Sequence, residues 1–217
     1  MISVILPSRG RPHSLEACVA SLLDLADDPA AVEILVAVDP DNAALYCSRR
    51  WPDQVTIWVA PERFGYLRLH EYFNHLATMA SGEWLMIFND DGLMRTYGWD
   101  TIVHAQPPMV LWPLANHAPQ CALFLAWPKA WTDHTGHVAL CWNADTWIEF
   151  VGKDLGLITA PGVYEIVNDR ADVTGNNDDL TAQEGWRVAH ADGNNRFWDA
   201  DMYAARAEDV AKIREIL

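Results

Sequence analysis

The chain has 217 residues, of which 51% are hydrophobic and eleven are tryptophan, and its formal net charge is −15. This length and apolar content suit one large α/β domain, or one domain with a C-terminal appendage, with ample material for a core. The acidic excess argues against a generic duplex-binding surface, which rests on lysine and arginine neutralising phosphates.

Residues 2–6 (Ile-Ser-Val-Ile-Leu) read as a buried strand, and Pro7-Ser-Arg-Gly-Arg-Pro12 as the loop that follows it. Leu15, Val19, Leu22, Leu23 and Ala26 then recur at helical spacing. Residues 33–38 form a second apolar strand that closes on Asp39, and residues 55–59 a third. A helix is predicted from Leu67, with Leu69, Phe73, Leu76 and Ala80 on one stripe and Gly82 as its stop. Residues 84–88 make a fourth strand, so the first ninety residues alternate strand and helix, the signature of a parallel sheet with crossover helices. Beyond them the pattern predicts strands at 110–114, 122–127 and 163–167, a helix at 144–155 and a polar loop at 169–185. A docked helix is expected within 196–217, with Met202, Val210, Ile213 and Leu217 as its sparse apolar face.

Cys18, Cys47, Cys121 and Cys141 show no CxxC spacing, so free thiols in a reducing, cytoplasmic setting are expected. The N-terminus enters a strand directly, with neither the basic segment of a signal peptide nor an apolar stretch of membrane-spanning length.

The fourth strand ends in Asn89-Asp90-Asp91-Gly92. Adjacent carboxylates at a buried strand end call for a positive partner, and oxygen ligands delivered there are how open α/β sheets hold a divalent cation. Asn, Asp and Gly are also ordinary turn formers, so a polar turn is the competing reading. The other strand ends favour a site. Pro7, Ser8, Arg9 and Arg11 follow the first strand, Asp39 the second, and Glu62, Arg63, Tyr66 and Arg68 the third. Arginines and hydroxyls beside carboxylates suit a ligand carrying a diphosphate, a ribose and a metal ion. There is no G-x-G-x-x-G after the first strand, no Walker A sequence and no G-x-S-x-G elbow, so dehydrogenase, P-loop NTPase and α/β-hydrolase readings lose their main support.

The order of these pieces resembles the GT-A glycosyltransferases, in particular family 2. The likeness is carried by Ile2-Ser-Val-Ile-Leu-Pro-Ser-Arg-Gly-Arg11, by Asp39, and by Gly82-Glu-Trp-Leu-Met-Ile-Phe leading into a DxD-like element. Phe64-Gly-Tyr-Leu-Arg-Leu-His-Glu-Tyr-Phe-Asn74 is also similar to small phage and bacterial glycosyltransferases. The resemblance covers roughly residues 1–100 and is loose beyond them. It implies a Rossmann-like α/β fold, an open, mixed, mainly parallel sheet flanked by helices. Residues 1–100 would be the nucleotide-sugar-binding half, 101–195 the acceptor-side half of the same domain, and 196–217 a C-terminal helix.

The resemblance further implies that Pro7, Ser8, Arg9, Arg11 and Asp39 frame a nucleotide-sugar donor, with UDP the expected nucleotide. Asn89-Asp90-Asp91 falls on the DxD position. Asp91 would ligate Mn²⁺ or Mg²⁺ with Asp90 as helper, and Asn89 stands where the pattern has its first Asp, which puts a strict ion requirement in doubt. Arg68 would reach the phosphates, although an exposed helix arginine explains it equally. Relatives commonly take a further ligand, often His, from the C-terminal part, and here Asn168 and Asp169 occupy that place, with His134, His137 and His190 elsewhere. An inverting transfer needs a carboxylate base. Asp145 is the candidate, with Trp147 as a stacking or packing surface and Asp133, Asp178 and Asp179 in reserve, while a simple helix N-cap is the alternative role for Asp145. The acceptor is unreadable: a glycan, a protein, a metabolite or a modified DNA base. The rival functions are a sugar-phosphate nucleotidyltransferase and a non-catalytic nucleotide-sugar or glycan-binding module.

Overall fold

A computed structural model describes residues 1–116, 122–169, 191 and 193–217. Four strands, β1 (Ile2–Pro7), β2 (Val32–Val38), β3 (Val55–Val59) and β4 (Trp84–Ile87), run parallel. An antiparallel edge strand, β7 (Ala126–Pro128), completes a sheet in the order β3-β2-β1-β4-β7. Helices on both faces bury β1, β2 and β4, which is why these read as largely apolar runs, while β3 at the sheet edge has no fully buried residue. Successive side chains go to opposite layers. Val4, Leu6, Ile34, Val36, Met86 and Phe88 pack in one core with α1 (Pro12–Asp24) and α4 (Trp99–His104). Ile5, Leu35, Ala37, Leu85 and Ile87 pack in the other, with α3 (Leu69–Met79), α5 (Lys129–Thr135), α6 (Ala144–Leu155) and α7 (Ala200–Arg214). The short α2 (Ala43–Cys47) lies between β2 and β3.

A second sheet has the order β5-β8-β6, from β5 (Gly92–Met94), β8 (Glu165–Asn168) and β6 (Leu114–Ala115). β5 runs antiparallel and β6 parallel to β8. The fold is thus mixed α/β with a mainly parallel central sheet flanked by helices, as the sequence predicts. Among the described residues no helix is long and apolar enough to cross a membrane, and Cys18, Cys47 and Cys141 are unbridged.

Several details differ from the sequence reading for local reasons. Residues 110–114 do not form one strand: Val110 and Leu111 make isolated bridges, and only Leu114 is in a strand, as the first residue of β6. The Trp112 N–H goes to Thr159 Oγ1 at 2.9 Å, and Pro113 has no N–H to give. Pairing in the predicted strand 122–127 begins only at Ala126, because Phe124 adopts φ 57° and the Ala122 N–H goes to Glu149 Oε2. Gly82 is not a helix stop in the usual left-handed sense, since α3 ends at Met79 with Ala80 extended. Its role is close approach: a Cβ there would lie 2.7 Å from the Met1 carbonyl oxygen and 2.8 Å from the Ser3 nitrogen. β5, α4 and α5 were not anticipated.

Candidate active site

The sheet order reverses between β1 and β4, and the crevice beyond their carboxyl ends is where open α/β sheets place ligands. Pro7 closes β1 in register with Ala37, and the Ser8 N–H continues the ladder to the Ala37 carbonyl at 2.9 Å. Ser8 Oγ then donates to Asp90 Oδ2 at 2.6 Å and lies 2.8 Å from Tyr46 Oη. Gly10, at φ 70°, turns the chain so that Arg11 returns across the sheet end as the first flanking residue of α1. Its guanidinium spans both carboxylates: Nη1 donates to Asp91 Oδ2 at 3.0 Å, and Nη2 pairs with Asp90 Oδ1. Asp90 and Asp91 are 1% and 9% exposed, so this cation supplies the compensation that adjacent buried carboxylates require.

The second oxygen of Asp91, Oδ1, is buried without a hydrogen-bond partner. Next to Asp91, Gly92 opens β5 opposite Asn168 of β8, and the Asp169 N–H donates to the Asp91 carbonyl at 2.7 Å. Asn168 is fully buried, and Asn116 brackets its backbone, accepting its N–H at 2.8 Å and donating to its carbonyl at 3.2 Å. Its side-chain Oδ1 and Nδ2 have no partner. Buried polar atoms are satisfied in the great majority of cases, so these orphans are open to a bound ligand. A carboxylate oxygen and an amide oxygen are suitable donors for a hard cation such as Mg²⁺ or Mn²⁺. Among the described residues no three His, Cys, Asp or Glu side chains cluster as a metal site.

A second charge network lies at the end of β2. Asp39 is 4% exposed and accepts from Arg9 Nη1 at 2.7 Å and from Tyr72 Oη. Arg9 also forks onto Asp41, at 2.8 Å for each nitrogen, which raises the guanidinium's already high pKa and holds the Asp41 carboxyl well below the usual range. Tyr72 Oη accepts the N–H groups of Phe64 and Gly65 at 3.0 and 3.2 Å, and burial, with the Asp39 bond adding to it, pushes this hydroxyl up to about 12. The loop after β3 is therefore tied to the end of β2 through one phenol.

Asp145 lies in the first turn of α6 but is not its cap. Asn143 holds that position, while Asp145 Oδ1 accepts from the N–H of Thr146 at 2.7 Å. Burial pushes its carboxyl up to about 6. Trp142, just before the helix, approaches Tyr66 of the β3 loop with ring centres 5.5 Å apart. Trp147 is a packing residue, 1% exposed, with Nε1 donating to Asp209 Oδ2 at 2.9 Å.

Ser8, Arg11, Asp90 and Asp91 thus converge through their side chains, Asn168 and Asp169 adjoin Gly92 and Asp91 through backbone pairing, and the Arg9–Asp39 pair forms a separate network at the end of β2. Asn89 joins through its backbone, its carbonyl receiving the Gly92 N–H at 3.0 Å and the Cys18 thiol at 3.6 Å. Arg68 is not drawn in: it pairs with Glu62 and Glu71 and lies 4.5 Å from the centre of the Phe64 ring. Asp133 pairs with Lys129, His134 with Glu215 and His137 with Asp209, away from the cluster. Asp178, Asp179 and His190 lie outside the described residues. Sequence reasoning missed Tyr46, Tyr72 and Asn116. Each carries its polar atom at the tip of a residue that packing or turn formation explains, and the one available signal for Tyr72 is its place in the segment from Phe64 to Asn74.

No protein-family model matches the sequence, and no curated protein does. Solved structures do. The chain aligns over 98% of its length with 89% of S. aureus TarS 1-349 in complex with UDP, at TM-score 0.62 and 13% identity. With TarS 1-349 in complex with UDP-GlcNAc the TM-score is 0.61 at 12% identity, covering 97% of this chain and 72% of that one. With the mannosyltransferase PcManGT from Pyrobaculum calidifontis, in complex with GDP-Man and Mn2+, it is 0.62 at 14% identity, covering 99% and 74%. The chain therefore has the fold of these proteins, whose complexes hold UDP, UDP-GlcNAc, or GDP-Man with Mn2+.

Proposed function

We propose that this protein is a GT-A, family 2-like glycosyltransferase that moves a sugar from a nucleoside-diphosphate donor, UDP by preference, to an acceptor hydroxyl with inversion. The observation that carries this is the Asp90–Asp91 pair at the β1/β4 switch point, held by Ser8 and Arg11 and backed by the orphaned oxygen of Asp91. Support comes from fold neighbours whose complexes contain UDP, UDP-GlcNAc, or GDP-Man with Mn2+.

In this reading Asp39 and Arg9 receive the nucleoside, and Ser8 and Arg11 face the diphosphate. Asp91 would hold the divalent cation, with Asp90 as helper and Asn168 and Asp169 as the further candidate ligands. The ion, when bound, stabilises the charge that grows on the leaving phosphate. Asp145 takes the acceptor hydroxyl proton as that oxygen bonds to the anomeric carbon, while the bond from this carbon to the phosphate oxygen breaks and its electron pair leaves with the nucleoside diphosphate. Trp142 and Tyr66 form an aromatic wall on the Asp145 side that suits a sugar ring.

Incubation of the purified protein with Mn²⁺ and a panel of nucleotide sugars is expected to release nucleoside diphosphate from one donor, slowly to water and faster with acceptor, and Asp91→Asn is expected to abolish the release. Absence of release from every donor, with donor-dependent thermal stabilisation retained, would favour the non-catalytic module, to which Asn89 in the first DxD position lends some weight.

A further inference from the structure

Arg11 occupies a conflicted position. Its guanidinium bridges Asp90 and Asp91, the carboxylates that the proposed function gives to the cation, and it takes Oδ2 of Asp91 while leaving Oδ1 open. A divalent ion on Asp91 would put two positive centres on one carboxylate, in a setting where both acids are nearly buried and screening by water is weak. The guanidinium fork suits phosphate as well as carboxylate, so a donor diphosphate offers it another place to bind. Arg11 is also within reach of solvent at the mouth of the crevice. Gly10 precedes it at φ 70°, and Arg11 flanks α1 rather than lying inside it, so its side chain is 17% exposed.

We infer that Arg11 is an internal counter-cation that competes with the divalent ion for Asp91, and that a nucleoside diphosphate relieves the competition by drawing the guanidinium onto its phosphates. This rests on the proposed donor-and-metal reading and adds that the two ligands are coupled through one side chain. Without nucleotide the ion binds weakly, because it must displace or crowd Arg11. With nucleotide, Arg11 moves from opposing the ion to flanking the same diphosphate, and the two affinities rise together, as linkage requires.

The test is a titration of the nucleotide-free protein with Mn²⁺ alone, following loss of the free-ion signal by electron paramagnetic resonance, for wild type, Arg11→Gln and Asp91→Asn. Arg11→Gln is expected to bind Mn²⁺ about tenfold more tightly than wild type, a coupling of ordinary size. Saturating UDP is expected to narrow that gap, because wild type gains more from UDP than the variant does. Equal or weaker Mn²⁺ binding by Arg11→Gln, with wild type still binding the ion, overturns the competition and leaves the metal reading standing. Mn²⁺ uptake that Asp91→Asn leaves unchanged, or no uptake by wild type with or without UDP, removes the metal reading and the coupling with it. Should Arg11→Gln fail to fold alone, the expected result is folding upon addition of Mn²⁺, since the ion takes over neutralisation of the pair. A variant that stays unfolded in saturating Mn²⁺ overturns the inference.

Discussion

On the proposed mechanism, stability and chemistry make opposite demands on Asp145. Its folded-state carboxyl, pushed up to about 6 by burial, holds a proton more tightly than in the unfolded chain, where the ordinary value is 3.8. A raised carboxyl contributes stability that is present below the unfolded value and is lost as pH climbs to about 6, so at pH 7 the ionised group is a burden. The side chain is half-buried, so solvent screens part of the cost, and Asp145→Asn is expected to stabilise the fold at pH 7 by about 1–2 kcal/mol. The same variant should keep donor binding yet lose transfer. The wild-type kcat/KM should rise as pH climbs through about 6 and then level off, because only the carboxylate accepts a proton. Denaturant melts and a pH–rate profile check both, and a destabilised, active Asp145→Asn would move the base elsewhere. At this scale the sequence showed the acids and arginines, because charged residues beside strand ends have few structural uses. It hid Tyr46 and Tyr72, whose rings are explained by packing and whose hydroxyls contact Ser8 and Asp39 only through pairings of long sequence separation.

At the scale of elements, legibility followed length and periodicity. The four parallel strands were readable because each is a predominantly apolar run between turn residues. The second sheet was not, since its strands are two to four residues long and form only through pairings between distant segments. Gly92 is its hinge to the site. A Cβ on Gly92 would lie 2.6 Å from Phe88 Cε1 and 2.7 Å from Phe124 Cε1, two rings already in contact with centres 4.8 Å apart. Gly92→Ala must therefore displace β5 or the Phe pair, at about 1–3 kcal/mol, the usual range for overpacking. Because Asp91 is its neighbour, the variant is also expected to weaken Mn²⁺-dependent thermal stabilisation. Full retention of that shift would show that Asp91 is positioned independently of β5.

Across the whole molecule, the candidate cation ligands come from different layers of the architecture. Asp90 and Asp91 follow β4 of the central sheet, while Asn168 ends β8 of the small one. Hydrogen exchange gives this arrangement a readout independent of turnover. Mn²⁺ with UDP is expected to slow amide exchange in residues 165–169, because ordering Asn168 from one sheet and Asp91 from the other restrains their relative motion. Protection confined to residues 89–91 would mean that Asn168 takes no part. The orphaned carboxamide of Asn168 then has a meaning beyond ligation. On the proposed reading such a site works as a rivet: backbone pairing already joins Gly92 to Asn168 and Asp91 to Asp169, and a shared ligand would add a side-chain link across the same seam.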